Sequence, residues 1–352
     1  MANSANEILK SFPDLLKLEA GDPETSILGP CPQEAPKSGA VAYVAKPEAL
    51  ESIVASDVAA IVVDARMADQ AKEVIGSKVL LSSTNLRLAM AKVNQKFFPV
   101  EAHRKPFAGE KVHSSAIIHP EADIDSSVVI GPNVVIHENV KIGADTFIGA
   151  NSVIESNVVI GTNCFIHHMV YIGHSTRMGD NCEVMPNSTI ASDGYGYAQD
   201  ENGVSHKMPH YGEVIIEDNV TLGANVNVDR GTFGPTIIGK GTKVDNHCHF
   251  AHNVEVGENN LMTAGFIVAG STKIGSNNVF AGRASVNGHI KMGDNITVGP
   301  MSAVIGNIDT PGAYGGYPLI PLKEHKKVQV SLASLPTIRK NVAKIMKKLG
   351  IE

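Results

Sequence analysis

From Ile118 to Ile190 an aliphatic residue recurs at every sixth position, through Ile124, Ile130, Ile136, Ile142, Ile148, Ile154, Ile160, Ile166, Ile172, Met178 and Val184. Four residues after each comes a small or slender one, such as Ala122, Val134, Thr146, Ser152, Cys164 or Cys182, and a glycine often follows the aliphatic directly. The phase breaks over 191–213, resumes at Ile216, Leu222 and Val228, skips four residues, and then runs from Ile238 to Val304. A period of six matches neither the 3.6 of a helix nor the alternation of an ordinary strand. It predicts short flat strands joined by turns, three sides to a coil of about 18 residues, with coils stacked at about 4.8 Å. The expected class is mainly β, a parallel β-solenoid.

The flanks read differently. Residues 1–105 alternate helix-like stretches (Glu7–Leu18, Pro47–Ser56, Asn85–Phe97) with apolar runs (Ala40–Ala45, Ala59–Val63, Val79–Leu81), the pattern of a small α/β domain. No GxGxxG supports a dinucleotide site there. Arg104–Ser115 is expected to be a linker, 106–310 the solenoid domain and 311–352 a C-terminal extension. In that extension Leu332, Leu335, Ile338, Val342, Ile345 and Leu349 step by three and four, an amphipathic helical stripe, with Pro336 expected to start the last helix or kink the segment. Lys323, Lys326, Lys327, Arg339, Lys340, Lys344, Lys347 and Lys348 oppose only Glu324 and Glu352 there, whereas the whole chain carries −6. One reading is a solvated helix face beside an oligomer seam; the other is a dock for an acidic partner. The net charge argues against general nucleic-acid binding, no window approaches a membrane span, and Met1–Phe12 lacks the features of a secretory signal. Four cysteines without a CxxC pair make a zinc knuckle improbable, and a reduced cytoplasmic setting is expected.

Coil arithmetic singles out one stretch, Val244–Gly257. One coil beyond His252 stands Gly270 and two coils beyond stands Gly288, so a potential base has the neighbours on its own wall trimmed to hydrogen. His289 follows at once. A base, bare backbone N–H groups and a second imidazole are parts suited to acyl transfer.

The segments SDGYGYA (Ser192–Ala198), DRG (Asp229–Gly231), TIIG (Thr236–Gly239), VDN (Val244–Asn246), AHNV (Ala251–Val254), AGS (Ala269–Ser271) and NGH (Asn287–His289) resemble the UDP-3-O-(3-hydroxyacyl)glucosamine N-acyltransferases of lipid A biosynthesis, members of the hexapeptide-repeat acyltransferases. The resemblance spans nearly the whole chain. It implies a left-handed parallel β-helix with an N-terminal α/β domain of the uridine-binding type and a short helical tail. It implies transfer of a (R)-3-hydroxyacyl chain from acyl carrier protein to the 2-amine of the UDP-sugar, with His252 as general base, the Gly270 N–H as oxyanion donor and His289 assisting. It implies no metal or redox cofactor, and a homotrimer with sites between neighbouring solenoids. Tyr43 and Lys46 stand where the family's uridine site reads Phe-x-x-Asn-Pro, the second aromatic of that site has no counterpart, and His249 replaces a usual Gln. Asp245, Asn253 and Gly288 are further substrate-side candidates, and Arg339, Lys340 and Lys344 are candidates for carrier-protein docking.

Other features admit plainer accounts. His247, His249 and His252 form HxHxxH, which invites a metal, but a strand and a turn make convergence within one chain awkward. Cys164 and Cys182, one coil apart, read as stacked reduced thiols, and Asn260 and Asn278 as an amide ladder. The 191–213 excursion, carrying Tyr195, Tyr197, His206, His210 and Tyr211, is either a packed cover over a neighbour or a wall of the site. Beside the N-acyltransferase stand an acyltransferase using acetyl-CoA or a hydroxyl acceptor, a metal-dependent β-helix hydratase, and a non-catalytic scaffold.

Overall fold

A computed structural model describes residues 3–99, 107–315 and 322–350, which fall into two compact units divided after residue 105. In the second unit two-residue strands stack into three parallel sheets of ten, nine and ten strands. The register advances by one coil per rung, as Val135 pairs with Ile117 on one side and Val153 on the other. The hexad aliphatics form the core: Ile130, Ile136, Ile148, Ile154, Ile166 and Ile172 are all at most 1% exposed. Burying each contributes about 1.5–3 kcal/mol.

The slender residue shares the interior because it sits at a corner, where backbone groups leave the ladder. Thr146 donates to the Gly161 carbonyl and accepts from the Cys164 amide. Asn260 donates to the Gly275 carbonyl and accepts from the Asn278 amide; Asn278 repeats the arrangement with Gly293 and Ile296. The expected ladder therefore exists, but it runs side chain to backbone. Cys164 and Cys182 are buried free thiols. The residue just before it at most corners is left-handed, at φ of 56°, 56°, 61°, 60° and 52° for Asn133, Asn139, Asn151, Asn157 and Asn163. Asparagine tolerates that conformation better than other side chains bearing a Cβ.

Both phase breaks are loops thrown out of the prism. After the strand Thr189–Ser192 the chain makes an antiparallel hairpin, Tyr197–Gln199 against Ser205–Lys207, and rejoins the sheet at Val214–Ile216. The four-residue skip makes a second loop between Asn227–Asp229 and Thr236–Ile238, so Asn227 pairs with His249. The strand Gly312–Tyr314 pairs with Ile296–Val298, so the sheet continues past the expected boundary at 310. At the other end Val112 bridges Ile130, placing the far end of the expected linker within the first coil; residues 104–106 lie outside the described ones. The C-terminal helix runs unbroken from Leu322 to Leu349 with Pro336 inside it, so that proline does not start a helix. Its apolar stripe is bare, with Leu335 50% and Ile345 55% exposed.

The N-terminal unit has a four-stranded sheet in which Val41–Val44, Ala60–Asp64 and Val79–Ser83 are parallel and Lys17–Ala20 pairs antiparallel with the last. The first helix covers only Ala5–Ser11, because Pro13 interrupts the chain and Lys17–Ala20 is taken by the sheet. Asn85 caps the helix Leu86–Phe97 by accepting from the Leu88 amide.

On the sheet edge Glu19, with its side chain 5% exposed, pairs with Lys72 and with Lys17 at 3.1 Å and accepts from Ser82 at 2.8 Å. The Lys72 contact foremost holds its carboxyl down at about 2, against an ordinary 4.5. A depressed folded-state value stabilises the fold above the unfolded value, and that contribution is lost as pH falls. Glu19→Gln is therefore expected to lower the melting temperature of this unit at pH 7, with the difference fading between about 4.5 and 2 in a pH series of thermal melts.

Candidate active site

The wall predicted by coil arithmetic is present. A Cβ built on Gly270 would lie 2.7 Å from both Cε1 and Nε2 of His252, so the Cε1–Nε2 edge of the imidazole rests against that glycine. A Cβ on Gly288 would lie 3.2 Å from the Gly270 carbonyl oxygen. Elsewhere in the prism the amide at this corner position is capped by the side chain one coil above: Asp180 accepts from the Thr162 amide, Ser276 from Glu258, and Asp294 from Ser276. Gly270 and Gly288 have no side chain to do this. Among the described residues no group accepts from the amides of His252, Gly270 or Gly288. A strip of free donors thus runs beside the imidazole, suited to an oxyanion.

The tautomer of His252 follows from its neighbour. Asn253 Oδ1 accepts from the Thr232 amide at 2.9 Å, and Asn253 Nδ2 donates to the Gly234 carbonyl at 3.1 Å, which fixes which end of the amide is oxygen. That oxygen lies 3.2 Å from His252 Nδ1. Nδ1 must then carry the hydrogen, leaving a lone pair on Nε2, the atom against Gly270. The four-residue skip is what supplies Thr232 and Gly234, so the second phase break sets the orientation of this imidazole.

The first phase break closes the other side. A Cβ on Gly194 would lie 2.9 Å from His252 Cβ and 3.1 Å from His210 Nε2, and one on Gly196 would lie 2.8 Å from His210 Cε1. The Gly-Tyr-Gly strap crosses directly over two imidazoles, which stand edge to face at 5.6 Å. His210 is 6% exposed, and both ring nitrogens are buried without a partner. Asp229 is also enclosed, at 7% exposure; burial pushes its carboxyl above the ordinary value, opposed by the imidazoles of His249, His252 and His210. Arg230 turns the other way, donating to the Ala191 carbonyl and contacting His174, and so anchors the strap.

The remaining expected residues scatter. His289 is an exposed left-handed corner residue two coils above Asn253, about 10 Å along the stack, and no contact joins it to His252. His249 faces outward with Nε2 3.7 Å from Asp229. Both oxygens of Asp245 are taken by the backbone amides of Asn246 and Ala264. Asn253 Oδ1 orients the His252 imidazole. Tyr43 is 7% exposed, packed in the core of the N-terminal unit with its hydroxyl donating to Asn94; Lys46 is exposed. Arg339, Lys340 and Lys344 are exposed on the C-terminal helix. Among the described residues no group of three His, Cys, Asp or Glu side chains is arranged to hold a metal, and no helix is long and apolar enough to cross a membrane. Asp229 and His210 entered the sequence reading only within the DRG motif and within the 191–213 excursion, with no role of their own. One signal for His210 was available: two glycines flanking Tyr195 in a loop that also returns a histidine.

Two family models match the chain: the GMPPB C-terminal domain over residues 112–194 and the hexapeptide repeat of succinyl-transferase over residues 213–246. A UDP-3-O-acylglucosamine N-acyltransferase of Methylococcus capsulatus is 33% identical over 348 residues, 99% of this chain and 98% of that protein. The protein of the same name from Desulfotalea psychrophila is 48% identical over 166 residues, so that match spans about half the length of either chain, 47% and 48%. An Arabidopsis UDP-N-acetylglucosamine acyltransferase structure, 23% identical, superposes with a TM-score of 0.52 over 58% of this chain and 71% of that one. The likeness concerns the fold, a left-handed parallel β-helix of hexapeptide repeats.

Proposed function

Because the chain belongs to the UDP-3-O-acylglucosamine N-acyltransferase family, we propose that it transfers a (R)-3-hydroxyacyl group from an acyl carrier protein thioester to the 2-amine of UDP-3-O-(3-hydroxyacyl)glucosamine. The observation that carries this reading is His252 lying against Gly270 with a lone pair on Nε2 and uncapped amides alongside. His252 Nε2 takes a proton from the amine as the nitrogen attacks the thioester carbon. The carbonyl oxygen becomes an oxyanion held by the Gly270 N–H. Collapse breaks the C–S bond, and the imidazolium returns its proton to the departing thiolate. The bonds made and broken balance without a metal or redox group.

The exposed apolar stripe on the C-terminal helix favours assembly into a homotrimer, and Arg339, Lys340 and Lys344 on the same helix favour an acidic carrier protein in the cytoplasm as donor. The test is an assay with the purified protein, the UDP-3-O-acylglucosamine acceptor and matched carrier-protein and coenzyme A thioesters, read by mass spectrometry. An amide-linked 2,3-diacyl product from the carrier-protein thioester is expected. Transfer only from coenzyme A, or only to a hydroxyl, would replace this reading with the other acyltransferase.

A further inference from the structure

We propose that Asp229 is a positioning residue for the base, its enclosed carboxylate serving as the counter-charge for the imidazolium that His252 becomes during attack. The inference rests on the acyl-transfer reading above. Asp229 lies one residue beyond the Val228–Phe250 pair, level with Ala251, the residue just before His252. Strand alternation points it outward, as it does Asn227. An outward carboxylate in a prism is normally wet. This one is 7% exposed, with Ser192, the residue at which the strap leaves the sheet, bonded to it.

A carboxylate taken out of water needs compensation. Here it has little: Ser192 Oγ donates at 3.2 Å, His249 Nε2 stands at 3.7 Å, and no lysine or arginine among the described residues pairs with it. Arg230 is adjacent in sequence, yet it is directed to Ala191, His174 and, at 3.9 Å, Asp193, while Lys207 is held by Asp193 at 2.6 Å. The cations that could answer Asp229 are imidazoles: His249 at 3.7 Å, His252 directly after the residue level with Asp229, and, edge to face with His252, His210, whose ring nitrogens have no partner among the described residues. Of these only His252 stands on the glycine wall, and so only it gains a proton in each turnover. A buried negative charge beside it stabilises the state in which that proton has moved, and Coulomb attraction is strong in so dry a setting. The carboxylate does not itself take the proton; it acts through His252.

Asp229→Asn keeps size and shape and removes the charge. The expected result is a kcat about 10–100-fold lower with the acceptor KM within about twofold. The melting temperature at pH 7 is expected to be unchanged or higher, since burial penalises the carboxylate that has been removed. In a His252→Gln background the same change is expected to cost nothing further, because its effect passes through that imidazole. Wild-type kcat in Asp229→Asn, or an equal fractional loss in both backgrounds, would overturn the inference while leaving the acyl-transfer reading intact. A wild-type protein with no transfer to the acceptor would overturn both.

Discussion

His252→Gln loses acyl transfer by about 10²–10⁴-fold, the range that a positioned general base supplies, while its melting temperature stays near that of the wild type. The reason lies in what holds the imidazole. Its Cε1–Nε2 edge rests against Gly270, its Nδ1 is committed to Asn253, and the strap covers its Cβ, so Nε2 is left with a lone pair against that glycine. Glutamine offers an amide of similar reach that cannot accept a proton at neutral pH. Substrate contacts survive and KM moves little, so the loss falls on kcat. Full activity in this variant, measured with saturating acceptor and carrier-protein thioester, would remove the assigned base.

Gly270→Ala is expected to lower kcat by about 10²–10³-fold, comparable to losing an oxyanion donor. The methyl would lie 2.7 Å from Cε1 and Nε2 of His252, closer than real carbon contacts come, so the imidazole must leave its seat. Gly29→Ala, where nothing lies within 4 Å of the added carbon, serves as the control and should leave turnover unchanged. An active Gly270→Ala enzyme with the base displaced in its crystal structure would show that the wall is not where the carbonyl sits.

The prism was legible in the sequence because each rung repeats the same physical demand, an aliphatic inward and a slender residue at the corner; Val244, Phe250 and Val256 lie in the core where the period puts them. Counting by coils also brought His252, Gly270 and Gly288 onto one wall. That arithmetic fails where the chain leaves the prism. His210 meets His252 only because the first loop folds back over the wall, and the groups that orient Asn253 come from the second; loop trajectories carry no period. His289 stands at a left-handed corner two coils above Asn253, and no contact within the chain joins it to His252. In the N-terminal unit the helix expected through Leu18 stopped at Ser11, because pairing with Val79–Ser83 outweighed local helical pattern over Lys17–Ala20.

The uniform register of the rungs has a consequence for how such a chain can change in length. Losing one residue between His252 and Gly270 would turn every later position by one place and bring Ser271 over the imidazole, so small deletions act on all the storeys above them. Removing or adding a complete storey leaves the phase whole, and additions that bulge outward, as the strap and the loop through Thr232 do, leave it untouched. Growth of this molecule is thus quantised: whole floors or balconies, with nothing stable between.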